Sequence, residues 1–240
     1  MKANKLWLGK LGSITKIGLL LMMATSMSAC ASTSWKEEVL LHDGGKMIVE
    51  RSQSYGGQTE PGKGAPIKEQ TITFTLPGSG KTLSWTSEYS EDVGRANFNL
   101  LALHISNGTP YLITTPNLCL AYNKWGRPNP PYVFFKYDGN AWQRIALAEL
   151  PAAFKNINLV INTKREDEIK SLASKTGYVP AEGVQQINSS LTQPENKTIL
   201  RGALPKERIN AMCMEMILYK GSWIMPNDPV ARRMLDQNSK

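Results

Sequence analysis

Thr71-Ile72-Thr73-Phe74-Thr75-Leu76, then Pro77-Gly78-Ser79-Gly80, then Thr82-Leu83-Ser84-Trp85-Thr86, is the stretch whose reading decides the fold. Threonine alternates with Ile72, Phe74 and Leu76, the period of two that puts three apolar side chains on one face of a strand. Turn-forming residues follow, and then a second run of strand formers. The same unit recurs outward along the chain. Residues 37–41 and 46–50 flank Asp43-Gly44-Gly45, residues 98–105 and 111–115 flank Asn107-Gly108, and residues 132–137 and 142–145 flank Asp138-Gly139-Asn140. Asn-Gly and Asp-Gly supply the positive φ angles that tight hairpin turns require. The expected fold is mainly β, with antiparallel hairpins forming a sandwich or an open barrel.

The turns fall about thirty residues apart, but their surroundings are not alike, and the chain is short for a closed propeller of ~40–45-residue blades. Unrelated hairpins are read instead. Helix is expected in one or two short pieces. Residues 165–175 place Ile169 and Leu172 on one side, and a turn within 146–154 is limited by Pro151. Residues 158–162 read as a buried strand, and residues 52–69, 126–131 and 177–197 as loops. A last hairpin, 212–219 with 223–225, turns at Lys220-Gly221-Ser222, and the tail from Pro226 reads as mobile. The expected organisation is a leader over 1–29, a hairpin-rich body over 30–176, a loop over 177–198, and a C-terminal hairpin and tail over 199–240 in the same domain.

The leader shows Lys2, Lys5, Lys10 and Lys16 ahead of an apolar run, 17–27, and then small residues and Cys30. That run is short of the ~20 residues a membrane-spanning helix needs. Met27-Ser28-Ala29-Cys30 resembles the lipobox of bacterial lipoproteins, with Met27 where that motif prefers Leu. The resemblance implies a diacylglyceryl group on the Cys30 thiol, cleavage between Ala29 and Cys30, and acylation of the new amino terminus. Ala31, rather than Asp, in the following position implies the outer membrane of a Gram-negative cell, facing the periplasm. Two alternatives stay open: cleavage after Ala31 at an A-x-A site, and an uncleaved anchor, against which the short apolar run argues. The expected partner is therefore the lipid bilayer, through acylated Cys30. Cleavage at Cys30 removes four lysines, so the net charge falls from +8 to +4. No lysine/arginine block remains to track nucleic acid, which is not expected as a partner.

Cys119 and Cys213 remain as an even pair. In an oxidising compartment they read as a disulfide, the alternative being two buried free thiols. His42 precedes a turn and reads as solvated; His104 reads as facing away from Leu101, Leu103 and Ile105. No nucleophile elbow or second partner accompanies either histidine, so both read as structural and no catalytic residue is assigned. Zinc ligands are lacking, and no metal or cofactor is expected. Pro77-Gly78-Ser79-Gly80-Lys81-Thr82 is not a phosphate loop, because Thr75 stands where the first glycine is needed and a strand follows. Met212, Met214 and Met216 would share one face of a strand. They suit Cu(I) or an apolar core, and the lack of a nearby histidine favours the core.

Residues 125–142 gather aromatics around a Pro-rich loop. Trp125, Tyr132 and Trp142 could stack on sugar rings, or simply pack a hairpin. Trp35-Lys36-Glu37-Glu38-Val39, Asp43-Gly44-Gly45-Lys46 and Leu218-Tyr219-Lys220-Gly221-Ser222-Trp223 resemble a family of uncharacterised proteobacterial exported proteins. That resemblance implies an envelope origin and carries no activity. The expectation is a membrane-anchored envelope lipoprotein with a structural or binding role, whose partner is peptidoglycan or an envelope protein. The alternatives are a carbohydrate-binding module built on Trp125, Tyr132 and Trp142, and an envelope hydrolase whose site forms only in the fold.

Overall fold

The computed structural model describes residues 32–161 and 163–237. The leader and Cys30 lie outside the described residues. The body is a mainly β sandwich of two four-stranded antiparallel meanders, as the alternating stretches predict. The first sheet runs in chain order through β1 (Ser32–Leu40), β2 (Lys46–Tyr55), β3 (Ile67–Thr75) and β4 (Thr82–Ser87). A short ribbon, β5 (Tyr89–Ser90) with β6 (Arg95–Ala96), turns the chain into the second sheet. That sheet holds β7 (Phe98–Ser106), β8 (Thr109–Pro116), β9 (Val133–Tyr137) and β10 (Trp142–Ile145), with α1 (Leu118–Lys124) between β8 and β9. All four hairpins predicted between residues 37 and 145 form. In the β7–β8 turn, Asn107 and Gly108 take φ of 50° and 72°, as a two-residue turn between twisted strands demands.

The main core lies between the sheets. Val39, Val49, Ile72 and Phe74 of the first meet Phe98, Leu103, Leu112 and Val133 of the second. The second sheet is covered on its other face too, where Leu101, Ile113 and Phe134 pack against Leu150, Phe154 and Ile199. A bulge between Leu100 and Ala102 explains a departure from strict alternation. It turns Leu101 to the outer cluster, the face of His104, while Leu103 and Ile105 stay on the other.

Several expected boundaries are corrected. The loop expected over 52–69 shrinks to 56–66, because β2 continues to Tyr55 and β3 starts at Ile67. Residues 158–160 are buried but not a strand: Asn158 replaces a ladder with its side chain. Its Oδ1 accepts from Leu103 N (2.9 Å), and its Nδ2 donates to Leu103 O (2.8 Å) and Leu40 O (2.9 Å), tying β7 to the end of β1. The stretch expected as a loop over 177–198 carries α3 (Ala181–Asn188), which packs with α2 (Glu166–Ala173) around Val160, Ile169, Val184 and Ile187. Gly183 disguised that helix. A Cβ there would lie 3.1 Å from the Val179 side chain, so glycine marks close packing and not a break.

The C-terminal part also differs from expectation. Met212 closes α4 (Lys206–Met212), and residues 213–216 are not a strand. Met212 and Met214 are exposed rather than packed in a core. The hairpin itself is β11 (Ile217–Tyr219) with β12 (Ser222–Ile224), and the tail forms α5 (Pro229–Gln237). Among the described residues no helix is long and apolar enough to cross a membrane.

Candidate functional site

The inward face of the first sheet changes character along its strands. Toward the β1–β2 turn it is Val39, Leu41, Met47 and Val49; toward the other end it is Glu37, Arg51, Gln53 and Gln70, all buried. A buried charge is tolerable only when paired and hydrogen-bonded. Arg51 Nη1 donates to Glu37 Oε1 at 2.8 Å, and Trp35 Nε1 donates to Glu37 Oε2 at 2.7 Å. The guanidinium also lies 5.3 Å from the centre of the Trp35 ring. The polar chain continues across the sandwich. Arg51 Nη2 donates to Gln70 Oε1 (3.5 Å), Gln70 Nε2 to Asn99 Oδ1 (3.0 Å), and Asn99 Nδ2 to Asn117 Oδ1 (3.3 Å).

At this polar end the surface opens into a cleft of 580 Å³, walled by Tyr55, Glu60, Lys63, Arg95, Lys164 and Glu166. A recess of 200 Å³ shares Arg95, Leu118 and Lys164 with it and reaches Asn99 and Asn117. The loop 56–66 forms one wall. It is pinned where Gly57 (φ 93°) meets the β5–β6 turn, since a Cβ on Gly57 would lie 2.4 Å from Gly94 O. Gln58 N donates to the same carbonyl at 3.0 Å. The opposite wall is set by Lys164 and by Glu166 at the start of α2.

The charges are partly matched. Glu60 accepts from Lys63 (2.5 Å) and Arg95 (3.4 Å), and Lys63 holds its carboxyl below the usual range. The Tyr55 hydroxyl donates to Glu166 and accepts from Gln53 Nε2 at 2.6 Å. Burial, and then the bond to Glu166, push the phenol up. Lys164 is exposed and has no acidic partner among the described residues. The cations Lys63, Arg95 and Lys164 therefore outnumber the acids, which suits an anionic ligand. Leu118 stands at the rim, 62% exposed and in the left-handed region at φ 65°, a backbone that a leucine adopts only under constraint.

The residues singled out in the sequence are placed elsewhere. Tyr132 is buried, its hydroxyl reaching Glu195 O (2.9 Å) and Thr198 O (3.0 Å), and burial pushes it up to about 12. Trp125 packs on Phe98 at 4.5 Å with the Arg144 guanidinium 5.5 Å from its ring. Trp142 donates from Nε1 to Ser84 O at 2.8 Å and sits edge-on to Phe74 and Tyr137. Trp125 and Trp142 thus flank the inter-sheet core and Tyr132 belongs to the outer cluster, so the three share no surface. Cys119 and Cys213 are joined by a disulfide with Cα atoms 5.3 Å apart.

Neither histidine lines the cleft. His42 is half-buried rather than solvated, edge-on to Phe154 at 4.8 Å, because the chain after Leu41 folds down onto that ring. His104 stacks on the same ring at 4.7 Å and donates from Nε2 to Asn156 O at 2.9 Å; burial lowers it to about 4. No group of three or more His, Cys, Asp or Glu gathers as a metal site among the described residues.

The buried polar end had a sequence signal. Arg51 and Gln53 fall in phase with Met47 and Val49 and so had to face inward. Arg95 and Lys164 lie outside any periodic pattern, and only the fold brings them together. No protein-family model matches the chain, and neither a curated protein nor a solved structure is found that resembles it.

Proposed function

We propose that this chain is a lipid-anchored protein of the Gram-negative envelope, held through acylated Cys30, with a binding role exercised by the charged cleft. The observation that supports it most is the position of Cys30. It ends the basic, apolar leader, and two residues later Ser32 already belongs to β1. Cleavage before Cys30 would remove the leader and keep the whole described fold. Two or more acyl chains hold a protein stably on a bilayer, where a single one is marginal. Ala31 after the cysteine favours the outer membrane, with the body facing the periplasm.

Binding is favoured over hydrolysis because Glu60 and Glu166 are both engaged by neighbours and the histidines lie outside the cleft. An anionic ligand is favoured over a stacked sugar because Trp125, Tyr132 and Trp142 are engaged in packing.

Metabolic labelling with a fatty acid tests the anchor. Label is expected on the wild-type chain and not on Cys30→Ser, which should also leave the membrane fraction; persistent label on Cys30→Ser overturns the reading. Affinity capture from intact envelopes, with a peptidoglycan pull-down alongside, tests the binding role. Enrichment that weakens in Lys164→Gln is expected, and failure of the wild-type chain to enrich anything counts against it.

A further inference from the structure

We infer that the cleft end of the sandwich is a membrane face, and that the cleft takes the phosphate-bearing headgroups of the bilayer to which the chain is anchored. This rests on the reading of Cys30 as the anchor. The geometry begins with β1, whose first residue, Ser32, pairs with Ser54. Thr33 Oγ1 lies 3.5 Å from the Tyr55 hydroxyl, and Tyr55 is a wall of the cleft. The anchor and the cleft mouth therefore share one end of the molecule. Two residues of extended chain span ~7 Å at most, so the acylated cysteine cannot carry that end far from the lipid surface.

The surface at this end has the composition an interface requires. Lys63, Arg95 and Lys164 supply cations for lipid phosphates. A second hollow of 280 Å³, sharing Glu166 with the cleft, adds Lys36 and Lys170 beside Thr33. Apolar side chains stand next to these charges. Leu118 precedes Cys119, whose disulfide partner Cys213 is flanked by Met212 and Met214, exposed by 40% and 62%. Leu118 thus puts an exposed apolar side chain on the lining of the cationic cleft, and the disulfide that follows it carries two more, the pairing that interfacial proteins present to headgroups and the acyl boundary.

The experiment uses a chain starting at Ser32, which keeps every described residue and lacks the anchor. It is sedimented with vesicles of phosphatidylcholine alone, or with added phosphatidylglycerol. Binding to the anionic vesicles that falls with salt is expected. Lys63→Gln, Arg95→Gln and Lys164→Gln together should weaken it on the order of 100-fold, since each cation near an anionic surface contributes roughly fivefold. Leu118→Asp should weaken it with the circular dichroism melt unchanged, and Lys81→Gln at the far end should bind as wild type. Absence of vesicle binding, or equal binding to both vesicle types, overturns the inference. Protection by inorganic phosphate without vesicle binding also overturns it and points to a soluble anion. Each result is independent of fatty-acid labelling at Cys30, so the anchor and the membrane face can fail separately.

Discussion

Glu37 and Arg51 meet inside the sandwich at 2.8 Å, with neither side chain reaching solvent. Each is the condition for burying the other. Removing one partner leaves a buried charge uncompensated, at a cost of about 3–5 kcal/mol. Glu37→Leu and Arg51→Met are each expected to lower stability by that amount in urea denaturation. Glu37→Leu combined with Arg51→Met should cost less than the two single changes added, and strict additivity in the double-mutant cycle would refute the coupling.

His104 makes stability depend on pH. The folded protein holds its imidazole neutral down to about 4, while the unfolded chain takes up a proton near 6.5. The unfolded state therefore binds more protons between these values, and stability falls as pH drops through that window. The full difference amounts to about 3 kcal/mol. The coulombic influence of His42 adds to the lowering and that of Asp43 opposes it. Urea midpoints measured between pH 7 and pH 4 should show this slope in the wild type and a shallower one in His104→Gln. Equal slopes would remove His104 as the cause.

Asn158 joins the two sheets through one amide. Asn158→Asp keeps the acceptor for Leu103 N but loses both donors, orphaning Leu40 O and Leu103 O. An unsatisfied buried partner costs about 1–3 kcal/mol. Asn158→Asp is expected to be destabilised at least as much as Asn158→Ala at pH 7, because it adds a buried carboxylate. A thermal melt showing Asn158→Asp as stable as wild type would contradict this role.

The Cys119–Cys213 link spans 94 residues of sequence. Loop-closure entropy gives such a crosslink on the order of 4–5 kcal/mol. It also holds the C-terminal arm to α1, and α5 has no buried residue of its own. Reduction, or Cys119→Ala with Cys213→Ala, should lower the urea midpoint and expose residues 213–237 to limited proteolysis. Mass spectrometry of the fragments reads the cut sites, and an unchanged fragment pattern would show that the arm is held by other contacts.

The hairpins were legible because their signals are local. Alternation over 71–76 and the Asn-Gly and Asp-Gly turns fix strand, face and partner within about ten residues. The cleft was not legible, because Tyr55 ends β2, Arg95 begins β6 and Lys164 precedes α2, three places far apart in sequence that only the fold joins. Asn158 is illegible for a related reason: its side chain performs the hydrogen bonding of a strand, so an apolar run there signals burial without a ladder. The aromatic cluster at 125–142 misled in the opposite sense. Its composition fits a binding surface equally well, and only the fold shows Tyr132 turned to one face of the sheet and both tryptophans to the other.

β1 is an outer strand of its sheet, and Val179 closes part of its free edge by accepting from Glu38 N and donating to Lys36 O, each at 2.8 Å. The next residue, Pro180, has no N–H to offer, so the pairing stops there. A bare strand edge recruits strands from neighbouring molecules. By occupying the middle of β1, Val179, backed by α3, leaves no long open run on that edge with which a neighbouring strand could pair.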